Sequence, residues 1–181
     1  MSRVGKKPII IPVNVIVKLY KNFIIIKGKY GILVKKIPFE LKIIQKNNSL
    51  TIILLKNTKY FKSLYGLYRM LIYNMIKGVS TLFYKTLYLT GVGYKALIKD
   101  KKLILSLGYS HTLNYTIPNG IFIEIIKNNT IILKSINNEK LGTFASKIKA
   151  NRYPDPYKGI GILFKNEKIN YKSGKIGKNT K

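Results

Sequence analysis

Residues 13–54 alternate between short apolar runs and turn-forming residues. β-branched and aliphatic runs at Val13–Leu19, Phe23–Lys27 and Ile32–Ile37 are separated by Asn and Gly, a pattern typical of short strands joined by tight turns. We therefore predict that these strands pair as a meander. A further apolar run at Leu50–Leu54 predicts another strand.

Between Lys59 and Ile76 the apolar spacing changes from the period of a strand to that of a helix. This spacing predicts one helix with an apolar face that covers the sheet, and Gly78 is predicted to end it. The predicted face consists of Leu64, Leu67, Tyr68, Leu71, Ile72, Met75 and Ile76.

The second half of the chain repeats this order of patterns. Turns are predicted at Gly91, Gly93 and Asp100–Lys102, and a second helix is indicated by the spacing of Leu141, Phe144, Ala145 and Ile148. Strands are predicted at Leu82–Leu89, Tyr94–Lys99, Leu103–Leu107, Leu113–Ile117, Ile121–Ile126 and Ile131–Leu133.

Landmarks of the first half recur in the second. Gly28 and Pro38 are followed 80 residues later by Gly108 and Pro118, and a Lys-Asn-Asn triplet occurs at 46–48 and again at 127–129. Two copies are fewer than stacked repeats require, so the pattern indicates a duplicated unit. We predict an α+β protein in which each unit is a mostly antiparallel sheet with one main helix on a face.

These patterns divide the chain into three parts. Residues 1–80 form the first α+β domain with a basic N-terminal segment, residues 81–164 form the second, and residues 165–181 form a Lys-rich C-terminal tail. The tail contains Gly174 and Gly177, which disfavour a helix, and we expect it to be disordered when free and to order on an RNA groove.

The net charge of the chain indicates the class of molecule that it binds. Thirty-four Lys and Arg against six Asp and Glu give a formal net charge of +28, and a phosphate backbone relieves the self-repulsion that this charge creates. With 46% hydrophobic residues the chain has enough apolar surface for a folded core. We therefore expect a folded protein that binds nucleic acid. We expect the second domain to be its principal binding part, together with the Pro-containing loop at 151–159 and the Lys-rich tail.

Residues for catalysis or metal binding are scarce. The chain has no Cys and one His, which leaves little to form a metal centre. His111 follows Ser110, but adjacent side chains on a strand point in opposite directions, which argues against a nucleophile pair. The glycines of Gly174–Thr180 lack the spacing of a phosphate-binding loop. We predict no catalytic residue, no metal, no cofactor and no small-molecule substrate.

The sequence does not predict insertion into a membrane. The charge-free stretch Leu103–Ile123 is interrupted by turn-forming residues such as Gly108 and Pro118, and Met1–Pro8 is not followed by the apolar core of a signal peptide. A binder of anionic membranes would need a helix with a basic face opposite its apolar one. The helix predicted from Lys59 has only a few basic residues.

Four stretches together resemble the bacterial-type ribosomal large-subunit protein six family over nearly the whole chain. They are Met1–Ile9, Arg69–Val79, the pair Leu89–Ala96 and Leu103–His111, and Pro154–Ile162. The resemblance implies a duplicated α+β fold, no catalysis, and a structural role in the large subunit beside the sarcin-ricin loop and the base of the factor-binding stalk. Ile160 stands where the family usually has Lys, which implies that one phosphate contact is missing.

Binding residues are predicted from the basic segments, from the stiff Pro-containing loop at 151–159 and from this resemblance. Large-subunit rRNA and neighbouring ribosomal proteins are the expected partners, and a free-standing RNA-binding protein or RNA chaperone is the alternative. The predicted RNA-binding residues are Arg3, Lys6, Lys7, Lys95, Ser110, His111, Lys149, Arg152, Tyr153, Tyr157, Lys158, Lys165, Lys168, Lys172, Lys175 and Lys178.

The joint excess of Tyr, Ile, Lys and Asn indicates an AT-rich coding genome. Together with the missing presequence, it favours an organellar ribosome, with the mitochondrion slightly favoured over the plastid. The cytoplasm of an AT-rich bacterium is the alternative.

Overall fold

The computed structural model describes residues 5–55 and 58–174, without the side chain of Lys59. The chain divides into two compact units. Unit 1 comprises Met1–Phe83 with Ile136–Asn138, and unit 2 comprises Tyr84–Ser135 with Glu139–Lys181. Three predicted binding residues, Arg3, Lys175 and Lys178, lie outside the described residues.

Unit 1 contains two antiparallel three-stranded sheets and one long helix. One sheet has the order β2-β3-β4 and the other the order β1-β6-β5. The elements are β1 (Ile9–Ile10), β2 (Ile16–Leu19), β3 (Phe23–Gly28), β4 (Gly31–Lys36), β5 (Leu41–Lys46), β6 (Ser49–Leu54) and α1 (Lys59–Ser80).

Unit 2 repeats this arrangement with one additional strand. Its sheets have the orders β10-β9-β8 and β11-β12-β7-β13. The elements are β7 (Phe83–Thr90), whose first residue belongs to unit 1, then β8 (Lys95–Lys99), β9 (Lys102–Ser106), β10 (Leu113–Thr116), β11 (Ile121–Ile126), β12 (Thr130–Ser135), α2 (Asn138–Lys149) and β13 (Gly161–Phe164). The predicted α+β class with two repeated units is confirmed.

The duplication is visible in the strand order. The neighbours β1-β6-β5 of unit 1 correspond to β7-β12-β11 of unit 2, and in each unit a three-stranded meander lies between the first of these strands and the other two along the chain. The turn at 127–129 is one residue longer than the turn at 47–48. Leu50 and Ile131, which follow these turns, are both fully buried, so the inward-facing register survives the insertion.

The buried face of α1 agrees with the predicted one at Ile72 and Ile76 but differs at other positions. Tyr65, Ile72, Ile76 and Val79 are buried in the core of unit 1, whereas Leu67 is 51% exposed. The helix also continues past Gly78 to Ser80, so the predicted end was wrong. By contrast, the four residues predicted to face inward from α2 are all buried.

Gly78 is inside the helix because the backbone of the same unit approaches it closely. A Cβ at this position would lie 2.0 Å from the carbonyl oxygen of Ile136. Backbone atoms cannot be displaced cheaply, so a side chain is excluded there. A glycine that resembles a helix stop in the sequence therefore allows close packing.

Gly78→Ala is expected to destabilise unit 1 by about 2 to 4 kcal/mol, because the added methyl group overlaps a backbone carbonyl. The matched control is Gly142→Ala in α2, where the nearest atom to the new Cβ is the Lys85 Nζ at 3.7 Å. The control should gain about 0.5 to 1 kcal/mol from helix propensity. Urea unfolding followed by circular dichroism measures both, and equal effects of the two substitutions would contradict the close approach.

Candidate nucleic-acid interface

Three segments of unit 2 meet at one end of the unit, which we call the loop end: residues 91–94, 107–112 and 151–160. β13 pairs with β7 so that Gly161 lies opposite Thr90. The Thr90 hydroxyl lies 2.9 Å from the carbonyl oxygens of both Gly159 and Gly161. A Cβ at Gly108 would lie 3.4 Å from the ring of Tyr94, so the first two segments also adjoin.

Asn151 connects the C-terminus of α2 to this end. Its side-chain amide donates hydrogen bonds to the carbonyl oxygens of Lys147 (3.0 Å) and Ile148 (2.8 Å), which satisfies two acceptors at the end of the helix. Its side-chain oxygen accepts a hydrogen bond from the Tyr115 hydroxyl, and its backbone oxygen accepts one from the Tyr109 hydroxyl at 2.8 Å. One residue thus fixes the helix end, β10 and the segment at 107–112.

An aromatic and cationic cluster lies on this scaffold. The Arg152 guanidinium lies 5.0 Å from the centroid of the Tyr109 ring, within the range of a cation–π interaction. The ring of His111 stacks near Tyr109, with centroids 6.1 Å apart and an angle of 20° between the planes. Tyr109 is 44% exposed. The cluster therefore presents a positioned guanidinium and aromatic edges to solvent.

The loop at 151–160 is closed by its own hydrogen bonds. The carboxylate of Asp155 accepts hydrogen bonds from the N–H groups of Tyr157 (3.2 Å) and Lys158 (3.1 Å). The Asp155 N–H donates to the carbonyl of Ile160, and the Ile162 N–H donates to the carbonyl of Arg152. The one carboxylate of the loop is thus used by its backbone, and the exposed side chains of Tyr153, Tyr157 and Lys158 remain available to a ligand.

The first part of the tail packs against this loop. The Lys172 N–H donates to the carbonyl of Pro156, and a Cβ at Gly159 would lie 2.6 Å from the Tyr171 hydroxyl. Gly159 also has φ +69, a conformation that favours glycine. We expected the tail to be disordered from Lys165, but residues 165–172 make specific contacts with unit 2.

Lys149 differs from its predicted role because it forms an ion pair inside unit 2. Its Nζ pairs with Glu167 and lies 5.0 Å from the centroid of the Phe164 ring, and its side chain is only 16% exposed. The Phe164 N–H donates to the second carboxylate oxygen of Glu167 at 3.0 Å. Lys149 therefore fastens the start of the tail to α2, which leaves it little capacity for RNA.

Most of the other predicted residues converge on the loop end. Lys95 begins β8 opposite Ser106, at the end of the sheet that leads into residues 107–112. Ser110, His111, Arg152, Tyr153, Tyr157 and Lys158 lie in the loop-end segments themselves. Lys165, Lys168 and Lys172 are exposed on the tail, while Lys6 and Lys7 are exposed in unit 1.

The prediction missed the residues that organise the site. Thr90, Tyr109, Asn151 and Asp155 position the loops through their hydrogen bonds. Of these four residues, only Asp155 could have been identified from its neighbours in the sequence, because an Asp beside prolines typically accepts hydrogen bonds from the following N–H groups. The other partners are distant in sequence.

A metal-binding cluster and a membrane-spanning helix are not found in the part of the chain that the structure describes. It contains no group of three or more His, Cys, Asp or Glu side chains placed to hold a metal ion. Neither of its helices is both long and apolar enough to span a membrane.

Comparison with known proteins gives one family. The model of the family described as Ribosomal protein L6 matches residues 11–81 and 90–165. The large ribosomal subunit protein uL6c of Phaeodactylum tricornutum is 49% identical over 178 residues, which cover 98% of this chain and 100% of the relative. The uL6c of Trieres chinensis is 47% identical with 98% and 99% coverage, and the uL6 of Finegoldia magna is 45% identical with 98% and 100% coverage.

Because Glu167 forms an ion pair with Lys149, we predict that the free energy of unfolding decreases in acid. The hydrogen bond from Lys149, followed by that from the Phe164 N–H, lowers the pKa of Glu167 below its usual value of 4.5. Because folding lowers this pKa, the stabilisation is complete above the unfolded pKa and is lost as the pH falls through the folded one.

At neutral pH, Glu167→Gln should therefore be less stable than the wild type by about 1 kcal/mol, and this difference should shrink below about pH 4.5. Urea unfolding across this range measures it. Glu124→Gln, which removes a more exposed pair with Lys134, should cost less. A difference for Glu167→Gln that is constant with pH would contradict the assignment.

Proposed function

We propose that this chain, which belongs to the ribosomal protein L6 family, binds the rRNA of the large subunit through the loop end of unit 2. The family is structural and non-enzymatic, so the chain is a structural constituent of the large ribosomal subunit and not an enzyme. The resemblance drawn from the four sequence stretches is confirmed. No feature of the described residues favours the free-standing RNA-binding protein or RNA chaperone.

The observation that carries the proposal is the convergence of cations on a hydrogen-bonded scaffold. Lys95, Arg152 and Lys158 belong to elements that meet at the loop end, and none of them forms an ion pair with any described residue. The only carboxylate of the loop at 151–160 is bound by backbone N–H groups. The local charge therefore remains positive, as contact with phosphates requires.

This arrangement suits recognition of RNA by shape and backbone. Folded RNA helices present phosphates and 2′-hydroxyl groups more accessibly than base edges. The hydroxyls of Ser110, Tyr153 and Tyr157 are exposed partners for ribose and phosphate oxygens. Because the loop is already ordered by internal hydrogen bonds, little conformational entropy is lost on binding.

The tail extends this surface. Lys168 and Lys172 are exposed on the segment that packs against the loop, and the sequence continues with Lys175 and Lys178 beyond the described residues. A chain with a cation every three or four residues suits a groove between RNA helices. We propose that the tail continues the rRNA contact from the loop end.

For the position in the subunit, we propose the vicinity of the sarcin-ricin loop and the base of the factor-binding stalk. The support is the resemblance of Pro154–Ile162 to the family's C-terminal signature. Ile160 is half-buried and its carbonyl closes the loop, so this position offers RNA no cation. Ribosomal proteins at the stalk base are the proposed neighbours.

For the location, we propose the plastid ribosome. The named relatives from diatoms are plastid proteins, which supports an organellar ribosome, while bacterial relatives are also similar. The slight preference for the mitochondrion has no support among the relatives.

The rRNA proposal predicts a specific loss of binding in Lys95→Ala combined with Lys158→Ala. Each lost phosphate contact should reduce the slope of log K against log salt by about 0.9 on duplex RNA. The control is Lys99→Ala with Lys102→Ala, which removes the same charge at the opposite end of the β8–β9 pair. Filter binding to a large-subunit rRNA fragment containing the sarcin-ricin loop, measured across salt concentrations, compares the variants.

The control, Lys99→Ala with Lys102→Ala, should change the slope of log K against log salt little. Equal slopes for the two double variants would contradict a contact localised to the loop end. Binding that survives deletion of the sarcin-ricin loop from the fragment would contradict the proposed position.

The plastid proposal predicts where the chain is found. Large subunits from isolated plastids of the source, washed at high salt, should contain it by mass spectrometry, since integral ribosomal proteins resist such washing. Mitochondrial subunits from the same cells are the control. Recovery in the mitochondrial fraction alone would overturn the location.

A further inference from the structure

We propose that the outer face of the β2-β3-β4 sheet in unit 1 is a docking surface for a protein partner that presents carboxylate and aliphatic side chains together. The outer face is the one opposite the buried side chains of Ile24 and Ile26. This inference concerns unit 1 and does not rest on the rRNA contacts proposed for unit 2.

The pairing register places aliphatic and basic side chains in alternation across this face. In one row Lys27 lies between Ile16 and Ile32, and in the next Ile25 lies between Lys18 and Val34. Ile16, Ile32 and Val34 are 58%, 56% and 59% exposed. Since cross-strand neighbours have their Cβ atoms about 5 Å apart, these side chains form one continuous surface.

An aromatic pair extends the surface along β3. The rings of Tyr20 and Phe23 stack with centroids 4.8 Å apart and an angle of 22° between planes, and both remain more than a third exposed. Phe23 is paired with Lys36, which continues the alternation. Exposed apolar side chains that are contiguous in this way mark an interaction site more often than isolated ones do.

The side chains of this face identify the class of the partner. The Ile and Val side chains have no flat face on which a base can stack, and the Tyr20 and Phe23 rings already stack on each other, so an RNA partner would leave most of the aliphatic area unused. A second copy of the chain is disfavoured because each copy has a net charge of +28. Residues 1–83 contain a single carboxylate, Glu40. Charge complementarity therefore favours an acidic protein whose aliphatic side chains contact the isoleucines.

The duplicated sheet in unit 2 provides an internal comparison. On the outer face of β8-β9-β10, one row holds the aliphatic pair Leu97 and Ile104 with Asn114 beside them, while the positions beside Lys95 and Lys102 are held by Ser106 and Thr116. These polar side chains suit hydration or phosphate contact. The same architecture thus has an aliphatic outer surface in one copy and a more polar one in the other, so the fold alone does not require the apolar surface of unit 1.

Binding of a defined probe to the full chain tests the proposal. A fluorescein-labelled peptide of alternating Glu and Leu is titrated with the wild type and with Ile32→Thr combined with Val34→Thr, and anisotropy is measured. Threonine keeps the β-branched shape, so the strand should persist, and circular dichroism verifies this. We expect the double variant to bind the peptide about tenfold more weakly, because it loses apolar area at the contact.

Matched controls separate this contact from general attraction to the basic chain. Leu97→Thr with Phe122→Thr alters two exposed apolar residues of unit 2 and should change peptide affinity by less than about twofold. Lys18→Glu with Lys27→Glu should weaken binding of the peptide more than Lys46→Glu with Lys62→Glu, which makes the same charge change away from this face. An oligo-glutamate of equal length should not distinguish the wild type from the Ile32 and Val34 variant.

The same titration also tests whether RNA or lipid, instead of an acidic protein, binds this face. The proposal is overturned if the two threonine pairs have equal effects on the Glu-Leu peptide. It is also overturned if the Ile32 and Val34 pair instead weakens binding to a uridine oligonucleotide or to phosphatidylglycerol vesicles, which would assign the face to RNA or to lipid.

Discussion

The geometry of the loop end depends on the hydrogen bonds of Asn151. Both donors of its side-chain amide and both of its oxygens are used, and they connect the end of α2 to β10 and to the segment that contains Tyr109. A surface made of separate loops would lose conformational entropy at every loop on binding RNA. Here this ordering is already complete in the folded protein, so Arg152 and its neighbours are positioned before a ligand arrives.

The carboxylates of this region stabilise the site instead of opposing its charge. Asp155 is bound by the N–H groups of the loop, and Glu167 is bound by Lys149 and by the Phe164 N–H. The negative charge of Asp155 is therefore compensated by backbone donors, and that of Glu167 by a backbone donor and the half-buried Lys149. Lys95 and Lys158 at the loop end form no ion pair with any described residue, which preserves the positive potential that phosphates require.

Duplication produced two similar units with different surfaces. Unit 2 has an additional strand, β13, and the pairing of β13 with β7 holds the loop at 151–160 beside Thr90. Among the described residues of unit 1, no strand takes the equivalent place in the β1-β6-β5 sheet, and the meander has an aliphatic outer face. We therefore propose different partners for the two copies of one architecture, rRNA for unit 2 and an acidic protein for unit 1.

The sequence by itself determined the fold class, the duplication and the buried face of α2. Each of these rests on local spacing or on composition, and a strand or helix must bury its apolar face wherever it packs. The strands β1 and β13 were not predicted, because the two residues of β1 cannot show a period and the apolar residues of β13 do not alternate with polar ones.

Only the tertiary structure decided what distant residues do to one another. In the sequence, Gly78 is typical of a helix end and Lys149 is typical of a phosphate ligand. In the structure, the Ile136 carbonyl lies close to Gly78, and Glu167 forms an ion pair with Lys149. The roles of Thr90, Tyr109 and Asn151 likewise depend on partners tens of residues away. Sequence spacing does not encode such contacts, because they arise only when the chain brings these segments to the same place.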